Sequence, residues 1–111
     1  MLMCRLELRI FFFTCLFCIA TSVSIVKRYP HDNLCYTQGF EFISDAQLVE
    51  SCGNYGVSRV LVHELDRANN QLHKINNVSL ETSVFGEGVT LLNGKYYVLT
   101  WRERKIFLIN K

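Results

Sequence analysis

After the first two dozen residues the apolar positions of the chain never keep a helical spacing. Short β-rich runs recur instead, at 39–44, 47–51, 57–65, 71–76, 87–92, 95–101 and 104–110, with turn residues between them. Asn93-Gly94, between "VTLL" and "KYYVLTW", is a two-residue hairpin signal, because both turn positions require positive φ. Ser44-Asp45 and Asn69-Asn70 mark looser turns. The pattern predicts an all-β, antiparallel meander. In "KYYVLTW" Tyr97, Leu99 and Trp101 alternate with Tyr96 and Val98, so both faces of that strand are apolar and both should be covered. With Leu92 pairing Lys95 across the turn, an unbroken ladder places Thr100 opposite Glu87 and Trp101 opposite Gly86.

Two stretches repeat one another. "YTQGFEFISDAQLVES" (36–51) and "FGEGVTLLNGKYYVLT" (85–100) superpose without a gap at an offset of 49. Each is followed by a further β run, and four strands at such a period mark a blade of a β-propeller, for which ~40–50 residues is usual. Residues 29–111 hold fewer than two such units, while the smallest propellers have about four blades. The expectation is therefore an incomplete propeller made of its first one to two blades. Gln38 and Glu87 occupy equivalent places, each before a glycine and each two residues after an aromatic, Tyr36 or Phe85. Equivalent positions of neighbouring blades reach the same rim of the central channel, so these side chains should converge, with Trp101 bordering them.

Composition narrows the setting. The formal charge is +2 over 111 residues, without a Lys/Arg block, which leaves no footprint for nucleic acid. "MLMCRLELR", the apolar "IFFFTCLFCIA" and small residues at Ala20, Ser22 and Ser24 read as a signal peptide over 1–24; uncut, 10–26 is long enough for a signal anchor. Residues 25–111 then form the β domain, secreted or lumenal, with membrane attachment only if the leader is retained. Of five cysteines, Cys35 and Cys52 lie outside the leader, and they either form a disulfide or remain buried thiols. Asn77-Val78-Ser79 is an N-glycosylation triplet.

Glu87 is the candidate acid. A carboxylate among Tyr36, Phe85 and Trp101 is partly desolvated and suited to accepting and returning one proton. In the competing reading Gly86 and Gly88 only shape a tight strand start, Glu87 faces solvent and Trp101 belongs to the core. His31 and Asp32 are read as fixing the start of the first blade rather than as metal ligands, His63 and His73 as packing or surface residues, and Tyr55 as a loop aromatic.

"YPHDNLCYTQGFEF", "LVESCGNYGVSRV" and "VFGEGVTLLNGKYYVLTW" resemble, in order, motifs of the plant and bacterial type of glutaminyl-peptide cyclotransferase, whose pattern runs YPHD, FTQGL, ESTGLYG, FGEGLT, LTW. The resemblance covers residues 29 to about 110. It implies a five-bladed propeller that converts the N-terminal glutamine of peptides or proteins to pyroglutamate with release of ammonia. It implies Glu87 as the acid that shuttles the proton, Gln38 and Trp101 as groups holding the substrate's polar atoms, and Tyr36 and Phe85 as an apolar wall. No cofactor is implied for catalysis; a structural calcium ion is implied for the complete family fold, without ligands assignable here. Tyr36, Cys52 and Asn54 depart from the motifs, which carry Phe, Thr and Leu there, and the proline that follows YPHD is missing. The family's remaining pocket residues would lie beyond Lys111, so the alternative is a noncatalytic secreted or membrane-anchored propeller fragment or binding module.

Overall fold

The computed structural model describes residues 23–111. The leader thus falls almost wholly outside the described residues, and residues 23–35 carry no helix or strand. Seven strands follow: β1 Tyr36–Phe42, β2 Gln47–Gly53, β3 Arg59–Asp66, β4 Gln71–Ser79, β5 Gly86–Leu92, β6 Lys95–Thr100 and β7 Ile106–Asn110. Strands β1 to β4 form one antiparallel sheet in chain order, and β5 to β7 form a second. The second sheet has three strands rather than four. At an offset of 49, β5, β6 and β7 correspond to β1, β2 and β3.

Local chemistry explains the turns. Asn93 and Gly94 take φ of 49° and 72°, the left-handed pair that a tight hairpin needs. At the first turn the Ser44 hydroxyl accepts the Ala46 and Gln47 N–H groups at 3.3 and 3.0 Å. At the third, Asp66 Oδ1 accepts those of Ala68 and Asn69 at 3.1 and 3.0 Å. Strand β7 starts at Ile106, two residues later than the alternation predicts. Arg104 takes a φ of 56°, and Thr100 Oγ1 both accepts the Lys105 N–H at 3.1 Å and donates to its carbonyl at 2.9 Å. That bracket keeps residues 101–105 out of the ladder.

The core lies between the sheets. Val49, Val60 and Val62 of the first pack on Val89, Tyr96 and Val98 of the second. Burying each valine contributes about 1.5–3 kcal/mol. Gly39 makes the contact close: a Cβ there would stand 2.4 Å from the Val89 nitrogen and 2.7 Å from Ser51 Oγ. The outer face of the first sheet carries Leu48, Glu50, Cys52, Leu61 and His63. Cys35 and Cys52 form a disulfide with Cα atoms 5.0 Å apart, which fastens the chain before β1 to that face. The outer face of the second sheet carries Leu99, Ile106 and Leu108, 49%, 58% and 57% exposed. Coverage of both faces, expected from the apolar pattern, therefore holds for one face of this sheet.

Three irregularities break the ladders: one in β4, where Ile75 is skipped between the Val62–Asn76 and His63–Lys74 pairs, and two that bear on the site. In β1, Thr37 pairs Cys52 and Gly39 pairs Ser51, so Gln38 has no partner in β2. In β5, Gly86 pairs Thr100 and Val89 pairs Val98, so Glu87 and Gly88 share the single place opposite Leu99. The unbroken register is thus corrected: Thr100 stands opposite Gly86, not Glu87, and the Trp101 N–H bonds the Phe85 carbonyl at 3.0 Å. One extra residue accounts for the whole difference. The bulge at Gln38 also accounts for β1 starting at Tyr36, which pairs Gly53, rather than at residue 39.

Candidate functional site

The bulges give the site its shape. A bulged residue leaves the pleat and its side chain is re-aimed, a device common beside active sites. Here two of the irregularities fall at Gln38 and at Glu87-Gly88, equivalent points of the two repeats. Tyr36, Gln38, Phe85, Glu87 and Trp101 then line one open cavity of about 340 Å³ between the two sheets. All five residues singled out from the sequence meet there.

Aromatic packing builds the walls. Phe85 is central: Tyr36, Tyr55 and Trp101 meet it edge-on with ring centroids at 6.3, 5.6 and 5.6 Å. Such pairs contribute about 0.5–1.5 kcal/mol each beyond burial. Gly53 makes room for the arrangement, since a Cβ there would lie 2.4 Å from the Phe85 ring and 2.9 Å from Gln38 Cγ. Tyr36 and Trp101 remain 59% and 52% exposed, so the cavity is walled on one side and open on the other. Arg102 stacks on Trp101, its guanidinium carbon 3.8 Å from the ring centre.

Hydroxyl groups hold Glu87 in place through the backbone. Ser51 Oγ donates to the Glu87 carbonyl across the sheet boundary. Ser58 Oγ accepts the Gly86 N–H at 2.9 Å and donates to the Asn54 carbonyl at 2.7 Å. Both serines are fully buried. The carboxylate of Glu87 is half-buried, and among the described residues neither it nor the Gln38 amide has a hydrogen-bond partner. Their polar ends are available to a ligand. At the rim, Tyr55 donates to Glu103 at 2.9 Å. Desolvation raises the Glu103 carboxyl, but bonds from Tyr55 and from backbone N–H groups outweigh it and hold the acid below its ordinary value. The hydrogen bond to Glu103 raises the Tyr55 phenol in turn.

The sequence reading missed a second polar centre. Glu50, fully buried on the outer face of the first sheet, accepts His31 Nε2 at 2.8 and 3.0 Å, His63 Nε2 at 3.0 Å, and the Thr37 hydroxyl. His63 is thus a hydrogen-bonded core residue. Its acid stands on the neighbouring strand, diagonal to it, because Leu48 pairs His63 and Glu50 pairs Leu61. No linear spacing announces such a pair; the signal that existed was the glutamate inside the apolar run of β2. His73 stays at the surface, 3.7 Å from Asp66, and Asp32 accepts the Leu34 N–H at 2.9 Å. Asn77 is exposed on β4, the outermost strand of its sheet.

The same residues include a group of ligand atoms close enough to hold a metal ion. His31, Cys35 and Glu50 bring ligand atoms within 4.8 Å of one another, but Cys35 is spent in the disulfide. A nitrogen-rich pair with one carboxylate does not suit calcium, which takes six to eight oxygens. That cluster therefore does not fit a calcium ion. Among them, no helix is long and apolar enough to cross a membrane.

Comparison with known proteins completes the picture. A family profile described as glutamine cyclotransferase matches residues 17–111. A glutaminyl-peptide cyclotransferase of Arabidopsis thaliana is 34% identical over 79 residues, which are 71% of this chain and 23% of that protein. The chain thus spans just under a quarter of that relative's length. Motif order, matched span and identity agree: this chain belongs to the glutamine cyclotransferase family.

Proposed function

We propose that the chain contributes one half of the active site of a β-propeller glutaminyl-peptide cyclotransferase, its two sheets being consecutive blades. The observation that carries this reading is the cavity lined by Gln38 and Glu87 with three aromatics, at the positions where the family motifs lie. The relative with this name supports the reaction assigned.

The chemistry asks little of the protein. The α-amine nitrogen of the substrate's first residue attacks the carbon of its own γ-carboxamide. A C–N bond closes the five-membered lactam and the bond to the amide nitrogen breaks. The amine gives up a proton and the departing nitrogen gains one, so a single acid–base group balances the step. Glu87 is that group. Gln38 offers an amide donor and acceptor to the substrate's polar atoms, and the Trp101 indole N–H can hydrogen-bond the γ-amide. Tyr36 and Phe85 hold the aliphatic part. Because nucleophile and carbonyl belong to one residue, binding its folded conformer removes much of the entropic barrier. No cofactor enters the balance. The Cys35–Cys52 disulfide supports a secretory setting, with peptides or proteins bearing N-terminal glutamine as partners.

The test is ammonia release from a glutaminyl peptide by a longer polypeptide carrying residues 23–111, beside the 111-residue chain itself. We expect turnover only from the longer form, and its loss in Glu87→Ala with unchanged melting. Turnover that survives Glu87→Ala would end the assignment.

A further inference from the structure

Glu50 is out of place by the logic of the repeat. At the offset of 49 its counterpart is Leu99, an apolar residue on the same outer face of its own sheet. Burying a carboxylate costs several kcal/mol unless it is paired and its lone pairs are filled. Glu50 is fully buried and fully filled: Thr37 and His31 serve Oε1, His31 and His63 serve Oε2. Both histidines present Nε2, so both donate from that nitrogen. His63 Nδ1 is buried without a hydrogen-bond partner, and a second proton there would be left unpaired. His63 accordingly donates from Nε2, a role assigned from this network. Three elements meet on one acid: the segment before β1, β1 itself and β3.

The strand that gains most is β1. Gln38 is skipped by the ladder, so no backbone pairing with β2 fixes it. Its neighbours do. Gly39 is wedged against Val89 and Ser51, and Thr37 is bonded through its side chain to Glu50. With its backbone held at both flanks, the bulged Gln38 lines the cavity. Glu50 also sits next to Ser51, whose hydroxyl holds the Glu87 carbonyl. One short stretch of β2 thereby anchors both halves of the site.

We propose that Glu50 and Thr37 are positioning residues, which fix the β1 bulge so that the Gln38 amide points into the substrate cavity, with His31 and His63 holding Glu50 for that task. The assignment of a substrate to the cavity rests on the cyclotransferase reading; the positioning of Gln38 does not.

Two measurements on the 111-residue chain separate them. In amide spectra, Thr37→Val, which keeps the shape and removes the hydroxyl, should shift the Gln38 side-chain amide and the Trp101 indole signals. The signals of Val98 and Tyr96 in the core should stay, and Thr37→Ser should restore the wild-type positions. An unmoved Gln38 amide in Thr37→Val overturns the proposal. Trp101 is the only tryptophan, so its fluorescence reports binding of a glutaminyl dipeptide at the cavity. Thr37→Val should weaken binding about tenfold, the worth of one lost hydrogen bond at the upper end, and should add nothing in a Gln38→Ala background. Equal losses with and without Gln38 overturn the proposal as well. A wild-type chain that binds a leucyl dipeptide as well as the glutaminyl one, while the Gln38 amide still moves in Thr37→Val, overturns the cyclotransferase reading alone.

Discussion

Replacing Gly39 by alanine should damage this protein far more than replacing Gly88, although the two are counterparts in the repeat. A Cβ on Gly39 would lie 2.4 Å from the Val89 nitrogen, 2.7 Å from Ser51 Oγ and 3.0 Å from the Gly88 carbonyl carbon, whereas ordinary contact begins at 3.4 Å. Strand β5 must therefore retreat by roughly 1 Å, because the obstacle is backbone and cannot rotate away. Overpacking of this kind costs typically 1–3 kcal/mol, and the upper part of the range, ~2–3 kcal/mol, is expected here. For a domain of this size that lowers the melting temperature by ~8–24 °C. A Cβ on Gly88 meets only Leu99 Cδ1 at 3.9 Å, so Gly88→Ala should melt close to wild type. Thermal unfolding followed by circular dichroism measures both. The same retreat carries Glu87 away from Gln38, and in a catalytically active longer form a misplacement of ~1 Å should cost about a hundredfold in turnover. Equal melting of the two variants, within 2 °C or so by the precision such a comparison needs, would refute the close approach of the sheets.

Other outcomes are as definite. Desolvation raises the Glu50 carboxyl, but bonds from His63, Thr37 and His31 and the charge of protonated His31 overcome it, leaving the acid below its ordinary value of 4.5. A carboxyl lowered in the folded state contributes stability that is present above its unfolded pKa and fades as pH falls through the folded one. Denaturant titrations should thus show stability dropping below about pH 4.5, with a shallower drop in Glu50→Gln; an identical slope would sink this account. Ser58→Ala strips the buried Gly86 N–H of its acceptor and should cost about 1–3 kcal/mol in urea unfolding. Reducing the Cys35–Cys52 bond, which spans 17 residues, should cost up to about 3 kcal/mol, read as a lower denaturant midpoint in dithiothreitol.

The fold was legible because β periodicity is local. All seven strands could be located from alternation and turn residues, and the internal repeat put Gln38 and Glu87 at equivalent points before any contact was known. The register was not legible. Counting back from Asn93-Gly94 assumes an unbroken ladder, and a bulge is set by how two strands and a neighbouring sheet fit, as Gly39 against Val89 shows. Nor was the Glu50 centre legible. His31, Thr37 and His63 lie 19, 13 and 13 residues from Glu50 along the chain, and only strand pairing brings them together. The cavity residues were found because each falls inside a short motif; the network behind them is spread over separate ones.

The paired bulges make the site sensitive to residue count as well as to residue identity. Removing one residue at position 38 or 87 would straighten the strand while keeping the flanking pairs, Thr37 with Cys52 or Gly86 with Thr100, so the irregularity that re-aims the chain would vanish together with the polar side chain it presents. Anyone transplanting this cavity to another scaffold would have to copy an irregular spacing along with five side chains. Single-codon deletions there should accordingly be harsher than most point substitutions at the same two positions.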